Sequence, residues 1–366
     1  MASRRVAVLG AGNGGRAAAG EFGLGGHDVT LFEVPDFAAG LAGIRTAGTI
    51  TLDGQINGTA PVRVELDLAH AIEGAEAIVV VVPTNHHRVF AAMLAPLLAD
   101  GLYVVLMPGS LGSLDFVHSL REKAVTAEVT VSEIAALPYA ARITGPAEVT
   151  VHGRRGVVSI GVFPADRADQ VVPVVDDLYP GIDVMPNVLA AGLSNPNPTL
   201  HCLGVLLSAS RIEYSHGEFY YYEEGMTPHV CQAIEAIDAE RLAIAGRFGI
   251  ELLSLKDTYP VMGYGPTGAT FWSVIRGVSA LNGIKGPSQI DSRYLTEDVP
   301  IGLTIYAQLG RQVGLEPVLM ESVIHLTRAL LGTDFGDVPR TLARCGLGGL
   351  DRDGILFYVT TGQRPG

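Results

Sequence analysis

Apolar runs alternate with helical segments through the first half of the chain. Residues 6–9 form a short apolar run before an Ala-rich stretch, and residues 78–82 and 102–106 repeat the apolar pattern. Continuous apolar strands separated by helical segments are typical of a parallel sheet that is covered on both faces. The pattern predicts a doubly wound α/β domain over residues 1–186, with further strands at residues 128–131, 148–152, 157–162 and 182–185.

The second half, residues 187–366, has apolar residues at helical spacing instead. One predicted helix has clear end signals, with Thr227 as N-cap, Pro228 at the first helical position and Gly249 after the last turn. A turn at residues 195–198 starts another helix, and further helices are predicted over residues 271–278, 297–313 and 317–331. This half is therefore predicted to be a mainly α-helical domain.

The first strand leads directly into a glycine-rich turn, Gly10-Ala11-Gly12-Asn13-Gly14-Gly15. In a dinucleotide-binding domain the first glycine permits a tight turn, the second lets the backbone approach a pyrophosphate, and the last lets the helix pack closely on the strand. The helix N-terminus then binds the phosphates through its unpaired N–H groups and its dipole. We predict a Rossmann-type cofactor site and assign to it Gly10, Gly12, Asn13, Gly14 and Gly15.

An acidic residue, Glu33, follows the second predicted strand at residues 27–32. A carboxylate at this offset accepts hydrogen bonds from the ribose hydroxyls of NAD and repels the 2′-phosphate of NADP. Because no arginine directly follows Glu33, we expect NAD rather than NADP as the cofactor. Four residues that follow other strands are also expected to contact it, namely Pro83, Thr84, Pro108 and Ser110.

Composition and charge narrow the class of protein. The chain has 366 residues, of which 48% are hydrophobic and 17% charged, which suffices for two domains. Its net charge of −13 argues against a nucleic-acid partner. The predicted strand near Met1 leaves no room for a signal peptide, and no apolar run is long enough to span a membrane. We expect a cytoplasmic protein without a membrane partner.

Neither cysteines nor histidines suggest a metal site. The three cysteines, Cys202, Cys231 and Cys345, are far apart in the sequence and are expected to be buried thiols. The adjacent His86 and His87 should point in different directions, so we expect them to line the cofactor site instead.

Three residues of the second half are candidates for the chemistry. A nicotinamide enzyme needs a proton donor or acceptor and, for an acidic substrate, a cation that binds its carboxylate. His201, early in a predicted helix, is the candidate for the proton step, although a lone histidine is more often structural. Asp298 could orient an imidazole and Arg293 could bind a carboxylate in bidentate fashion. The alternative for this stretch is ordinary helix capping by Thr296 or a neighbouring acid.

An aromatic run at residues 219–222 fits two interpretations equally well. It could form the wall of a substrate pocket, or it could pack between helices.

Motifs in both halves resemble the octopine/nopaline type of opine dehydrogenase, its bacterial members in particular. The matching stretches are residues 8–15, 82–87, 195–201, 221–228, 237–241, 293–294 with 297–299, and 333–335. Two prolines, Pro196 and Pro198, interrupt the Asn-x-Asn segment of the family, and residues 215–217 are also individual to this chain. Both departures flank the expected substrate site.

The resemblance implies a helical domain after the Rossmann domain and a His–Asp pair that assists reduction of an imine. That imine forms between an amino acid and a 2-oxo acid, and its reduction gives an N-(carboxyalkyl)amino acid. By the resemblance, His201 is the general acid/base, Asp298 its orienting partner and Arg293 the clamp for a substrate carboxylate. It also favours a homodimer with small-molecule substrates.

Two other functions are compatible with a nicotinamide-binding domain followed by a second domain. One is a 2-oxo or 3-oxo acid reductase of the ketopantoate or glycerol-3-phosphate dehydrogenase type, which would consume NADH without an amine. The other is a non-catalytic NAD-binding sensor, which would bind NADH without turnover.

Overall fold

The computed structural model describes residues 2–365, and the chain divides into two compact units. The first unit extends to Gly192 and includes Val359–Gln363, and the second comprises Leu193–Tyr358 with the residues from Arg364. The N-terminal unit is a Rossmann-like domain with a largely parallel sheet, and the second unit is mainly α-helical, as the sequence predicted. The boundary predicted after residue 186 lies just ahead of this division.

The strands of the described residues belong to the first unit. They are β1 (Arg5–Leu9), β2 (Asp28–Phe32), β3 (Thr49–Gly54), β4 (Gly58–Pro61), β5 (Arg63–Glu65), β6 (Ala77–Val80), β7 (Tyr103–Leu106), β8 (Thr130–Ile134), β9 (Tyr139–Gly145), β10 (Glu148–Arg154), β11 (Ser159–Phe163) and β12 (Asp183–Val184). Eight of them form one sheet in the order β12-β11-β8-β7-β6-β1-β2-β5. All neighbours in this sheet are parallel except β8 and β11, which are antiparallel.

A second, four-stranded sheet with the order β4-β3-β10-β9 was not predicted as a sheet. Only β10 was expected, whereas the sequences of β3, β4 and β9 include polar residues or glycine and form no continuous apolar run. A signal was present in β3, where Ile50 and Leu52 alternate with more exposed residues and are buried. This sheet packs on the first helix, because a Cβ at Gly20 would lie 2.8 Å from the Leu52 side chain.

The helices of the first unit follow the predicted alternation with strands. They are α1 (Asn13–Leu24), α2 (Ala42–Ala47), α3 (Leu68–Ile72), α4 (His87–Leu94), α5 (Gly112–Glu122), α6 (Ala168–Leu178) and α7 (Val188–Leu193), which reaches the division between the units. Val6 and Val8 of β1 pack in an apolar core that includes α1 residues, whereas the intervening Ala7 packs in a core that includes α4 and α5 residues. Both faces of the larger sheet are therefore buried, as expected for continuous apolar strands.

The second unit contains the remaining helices. They are α8 (Asn197–Leu207), α9 (Ala209–Ser215), α10 (Pro228–Arg247), α11 (Leu255–Val261), α12 (Phe271–Ile275), α13 (Arg293–Thr296), α14 (Thr304–Gln312), α15 (Val318–Leu331) and α16 (Arg352–Thr361), of which α16 ends in residues of the first unit. Within residues 2–365, no helix combines the length and the apolar character needed to cross a membrane.

The end signals of α10 are confirmed. The Thr227 hydroxyl accepts a hydrogen bond from the N–H of Val230, Pro228 is the first helical residue, and Gly249 has a positive φ of 72°. The helix predicted over residues 297–313 is wrong in its first third, because a π-helical turn, Asp298–Leu303, precedes α14. Pro300 explains the difference, since it has no N–H to donate within a regular α-helix. A second π-helical turn is formed by Tyr221–Gly225.

Candidate active site

The glycine-rich turn has the backbone geometry of a dinucleotide site. Gly10 has a φ of 102°, and a Cβ at Gly15 would lie 1.8 Å from the Gly10 carbonyl oxygen. Gly12 occupies the N-cap of α1, and apart from its own neighbours along the chain no heavy atom of the described residues lies within 4 Å of where its Cβ would be. The turn is thus tight at Gly10, close-packed at Gly15 and open at Gly12, which fits the approach of a pyrophosphate to a helix N-terminus.

Asn13 and Gly14 contact β9 and the residues just before it. The Asn13 side-chain oxygen accepts a hydrogen bond from the N–H of Ile143 at 2.9 Å, and a Cβ at Gly14 would lie 2.9 Å from Leu137. The buried Arg16, which sequence reasoning missed, donates to the carbonyl oxygen of Ala11 at 2.9 Å. These contacts hold the turn in place, and Asn13 as a cofactor ligand stays a prediction.

Glu33 lies directly after β2 and contacts the same turn. Its Oε2 accepts a hydrogen bond from the N–H of Ala11 at 2.7 Å, and its Oε1 accepts one from the N–H of Val34 at 2.9 Å. The carboxylate is therefore fixed beside the glycines, where the sequence argument required an acid.

Two further loops at the carboxyl ends of β6 and β7 contain the other predicted cofactor residues. Pro83 precedes a short 3₁₀ turn, Thr84–His86, in which Thr84 is buried. Pro108 follows a cis peptide bond, and Ser110 has a positive φ of 53°. Since β1, β2, β6 and β7 are neighbours in the sheet, all the predicted cofactor residues follow the carboxyl ends of adjacent strands.

A buried carboxylate that the sequence did not single out holds the second of these loops. Glu133, on β8, is fully buried, and its carboxylate accepts hydrogen bonds from the N–H groups of Leu111 and Ser113 at 2.8 and 2.9 Å. The Ser113 hydroxyl donates to the same carboxylate at 2.6 Å. Three of the five residues of β8 are polar, and Glu133 lies outside the strand predicted at residues 128–131, so little in the sequence distinguished it.

The two adjacent histidines point to different environments. His86 is exposed, whereas His87 is fully buried. Among the described residues, no group of three or more His, Cys, Asp or Glu side chains is arranged to hold a metal ion.

In the second unit, the structure brings His201 and Asp298 together. His201 lies on α8, and its Nδ1 is 2.9 Å from Oδ2 of Asp298, the first residue of a π-helical turn. The two side chains are only 11% and 16% exposed. Burial raises the pKa of the Asp298 carboxyl, and the hydrogen bond to His201 opposes that shift. The pair can therefore hold a proton between an imidazole and a carboxylate out of contact with most of the solvent.

The other ring nitrogen of His201 contacts Tyr222. The Nε2 atom lies 3.2 Å from the Tyr222 hydroxyl oxygen. Burial raises the pKa of Tyr222 well above its ordinary value, so the phenol keeps its proton and can donate a hydrogen bond. An ionised Asp298 can only accept, which favours the hydrogen of a neutral imidazole on Nδ1 and leaves Nε2 as the acceptor for the tyrosine hydroxyl.

Aromatic rings enclose the histidine. The ring of Tyr294 lies 4.3 Å from the imidazole and is stacked with Tyr221 at 5.6 Å. The Tyr221 hydroxyl donates to the carbonyl oxygen of His201 at 3.3 Å. In the aromatic run, Phe219 and Tyr221 are packed in the interior, and Tyr222 contacts the candidate acid/base. The interpretation of this run as the wall of a substrate pocket stays a prediction.

Arg293 is close to this group in sequence but has an acidic partner. Its Nε and Nη2 atoms lie 2.7 and 2.6 Å from Oε2 of Glu297, and its side chain is 72% exposed. Thr296 donates its hydroxyl hydrogen to the carbonyl oxygen of Ser292 and so does not act as a helix cap. A guanidinium that is fixed at one edge and open to solvent at the other suits a carboxylate clamp, and that role stays a prediction.

Comparisons with known proteins identify relatives of both halves. Residues 184–331 match a family model described as NAD/NADP octopine/nopaline dehydrogenase, alpha-helical domain. Residues 5–146 match the N-terminus of NAD-dependent glycerol-3-phosphate dehydrogenase. An opine dehydrogenase of Arthrobacter sp. (strain 1C) is 36% identical over 98% of this chain and 99% of its own length.

Two solved structures have the same fold. Octopine dehydrogenase in complex with NADH and agmatine has a TM-score of 0.77 at 18% identity, covering 100% of this chain and 99% of its own. Octopine dehydrogenase with NADH and pyruvate has a TM-score of 0.73 at 19% identity, with the same coverage.

Proposed function

This chain belongs to the octopine/nopaline family of opine dehydrogenases, which are NAD(P)-dependent dehydrogenases that act on CH–NH bonds, and we propose that it condenses an amino acid with a 2-oxo acid. The product is an N-(carboxyalkyl)amino acid, formed by reduction of the imine between the two substrates. The observation that carries the proposal is the buried contact of 2.9 Å between His201 and Asp298 in the helical unit.

The pair suits the proton steps of imine formation. At neutral pH an amino acid is an ammonium ion and must lose a proton before its nitrogen can attack the 2-oxo acid. His201 takes that proton at Nε2, and the carboxylate of Asp298 stabilises the resulting imidazolium. After the amine nitrogen has bonded to the carbonyl carbon, its extra proton passes to the new alkoxide and gives a neutral carbinolamine. The imidazolium then protonates the hydroxyl of the carbinolamine, and water leaves. This step regenerates neutral His201 and gives the protonated imine, whose carbon accepts the hydride.

The first unit holds the cofactor, and the bound NADH supplies the hydride that reduces the imine. The backbone turn for the pyrophosphate is provided by Gly10, Gly12, Gly14 and Gly15. The carboxylate of Glu33 accepts hydrogen bonds from the ribose hydroxyls. Asn13, Pro83, Thr84, Pro108 and Ser110 complete the proposed contacts. Because Glu33 is an acid, we propose a preference for NADH over NADPH.

Arg293 binds the carboxylate of a substrate in this proposal. Its guanidinium presents further N–H groups beyond those that Glu297 accepts, in a planar arrangement that matches a carboxylate. This cation compensates locally for the net negative charge of the chain, which is unfavourable to acidic substrates.

A second candidate is a 2-oxo or 3-oxo acid reductase of the ketopantoate or glycerol-3-phosphate dehydrogenase type, since residues 5–146 match the N-terminus of the latter enzyme. The test is a matrix of amino acids against 2-oxo acids, in which NADH and NADPH oxidation are followed separately. An opine dehydrogenase requires both substrates, whereas a reductase consumes NADH with the oxo acid alone. A non-catalytic NAD-binding sensor binds NADH and turns over no pair.

The enzyme is further proposed to act as a homodimer in the cytoplasm on small-molecule substrates only. Support for the compartment comes from Cys202 and Cys231, which are buried free thiols, as is common in reducing compartments. Support for the dimer comes from exposed apolar side chains on α15, such as Leu326 at 56% exposure. Cell fractionation and sedimentation velocity test these two points, and a monomer at micromolar concentration contradicts the second.

A further inference from the structure

Both ring nitrogens of His201 have a side-chain partner, and each partner belongs to a π-helical turn. Asp298 begins the turn Asp298–Leu303, and Tyr222 lies in the turn Tyr221–Gly225. Turns of this kind are rare and are often found at functional sites. The sequence signal for Tyr222 was only an aromatic run, so its contact with the imidazole comes from the fold.

The contact has a defined direction. Burial and hydrogen bonding with Tyr294 raise the pKa of Tyr222, so its hydroxyl keeps a hydrogen that it can donate at neutral pH. A neutral imidazole has one N–H and one acceptor nitrogen, and its Nδ1 faces a carboxylate that can only accept when it is ionised. The Asp298 carboxylate therefore favours the tautomer with the hydrogen on Nδ1 and the lone pair on Nε2, and the Tyr222 hydroxyl, 3.2 Å from Nε2, is placed to donate to that lone pair.

We propose that Tyr222 is a positioning residue that acts through His201, holding the imidazole in the tautomer whose Nε2 can accept a proton. This inference rests on the proposed function, in which Nε2 takes the proton of the amino acid. Without the hydroxyl, the imidazole keeps one of its two polar partners and can rotate or exchange tautomers.

A pair of neighbouring tyrosines provides a matched test. Tyr222→Phe removes the hydroxyl at Nε2 and keeps the ring, which packs edge-on against Tyr221 at 5.0 Å. Tyr221→Phe removes a hydroxyl that donates a hydrogen bond to the backbone carbonyl of His201 at 3.3 Å rather than to its imidazole. The two variants lose the same atom from adjacent, buried residues, so a difference between them reports the hydrogen bonds of the Tyr222 hydroxyl, to the imidazole and to Tyr294, rather than general packing. The signal of Nε2 isolates the bond to the imidazole.

The first readout is the ¹⁵N NMR spectrum of protein labelled at histidine, in which His201 is assigned by the signal that His201→Ala removes. The wild type should show a protonated Nδ1 and a hydrogen-bonded Nε2. Tyr222→Phe should move the Nε2 signal towards that of an unbonded nitrogen, whereas Tyr221→Phe should leave it unchanged. A wild type with the hydrogen on Nε2 overturns the proposal. Substituting 3-fluorotyrosine at position 222 keeps the shape and strengthens the donor, so it should move the signal in the opposite direction.

The second readout is steady-state kinetics with both substrates and NADH. Losing one hydrogen bond should lower kcat of Tyr222→Phe by roughly 2- to 10-fold with KM values unchanged. An equal fall of kcat in Tyr221→Phe overturns the proposal. So does a Tyr222→Phe variant in which kcat or the Nε2 signal is unchanged. A wild type without amine-dependent turnover overturns the proposed function and the catalytic part of this inference together, while the spectrum still decides whether Tyr222 fixes the tautomer.

Discussion

His201 and Asp298 are 97 positions apart in the sequence, yet Nδ1 of one lies 2.9 Å from Oδ2 of the other. The contact depends on an irregular backbone, because Asp298 begins a π-helical turn rather than continuing a helix from α13.

Replacing His201 by Ala removes the proposed acid/base. Proton transfer by a positioned side chain contributes about 10²- to 10⁴-fold to a rate, so kcat should fall within that range. NADH affinity should stay close to that of the wild type, because the cofactor residues belong to the first unit. Steady-state kinetics and NADH fluorescence titration measure the two quantities. His229→Ala, an exposed histidine of the same unit, is the control; retained turnover in His201→Ala refutes the assignment.

Asp298→Asn separates activity from stability. The amide presents an N–H where the carboxylate accepted one, which favours the tautomer with a protonated Nε2, and kcat should fall by about 10²-fold or more. Far-ultraviolet circular dichroism should be unchanged.

Comparing the wild type with Asp298→Asn also tests how the stability of the folded chain depends on pH. Burial raises the pKa of Asp298, so the unfolded chain loses this proton at a lower pH than the folded chain does. As pH rises from the usual aspartate range through the raised value, the unfolded state binds fewer protons than the folded state, and wild-type stability falls. Asp298→Asn has no such ionisation. The wild-type Tm minus the variant Tm should therefore decrease across that window, and a difference that increases contradicts the direction of the shift.

Glu33→Gln tests the cofactor preference. The wild-type carboxylate offers charged acceptors to the ribose and repels a 2′-phosphate, so its loss should raise KM for NADH and weaken discrimination against NADPH. Hydrogen bonds to charged groups are worth about 1.5–3 kcal/mol, which corresponds to a change in the preference of about 10-fold or more. The ratio of kcat/KM for the two cofactors measures it. Asp36→Asn, an exposed acid nearby, is the control. A wild type that strongly prefers NADPH shows that the argument from Glu33 is wrong.

Arg293→Lys keeps the positive charge and removes the planar fork. If Arg293 binds a substrate carboxylate in bidentate fashion, KM for that substrate should rise about 10-fold, with a smaller effect on kcat. Arg311→Lys is a matched control, because Arg311 is also an exposed arginine of the second unit that pairs with a glutamate. Equal KM values in the two variants would mean that the pair of Arg293 with Glu297 is structural only.

The parts of the fold that depend on local pattern could be predicted from the sequence. The glycine-rich turn, β6, β7 and the ends of α10 each follow from neighbouring residues, such as a proline at the start of a helix. The second sheet could not be assembled in this way. Its pairing joins β3 to β10, which are distant in the sequence, and the alternation of Ile50 and Leu52 is too short to stand out.

In the candidate site, too, some features follow from the sequence and others depend on the fold. His201, Asp298 and Arg293 were singled out by residue type and by resemblance, but their contacts required the fold. Pro300 could have indicated that a regular helix does not continue after Asp298. Tyr222 was hidden in an aromatic run, since packing and contact with a polar group give the same pattern in sequence.

The central claim is that the hydride reduces a carbon that has become bonded to the amino acid nitrogen. The most direct measurement combines NADH deuterated at the transferred position with a ¹⁵N-labelled amino acid and an unlabelled 2-oxo acid, followed by mass spectrometry of the products. The account predicts one product that contains both labels, with the deuterium on the carbon attached to nitrogen. A deuterated 2-hydroxy acid beside unchanged labelled amino acid would contradict it.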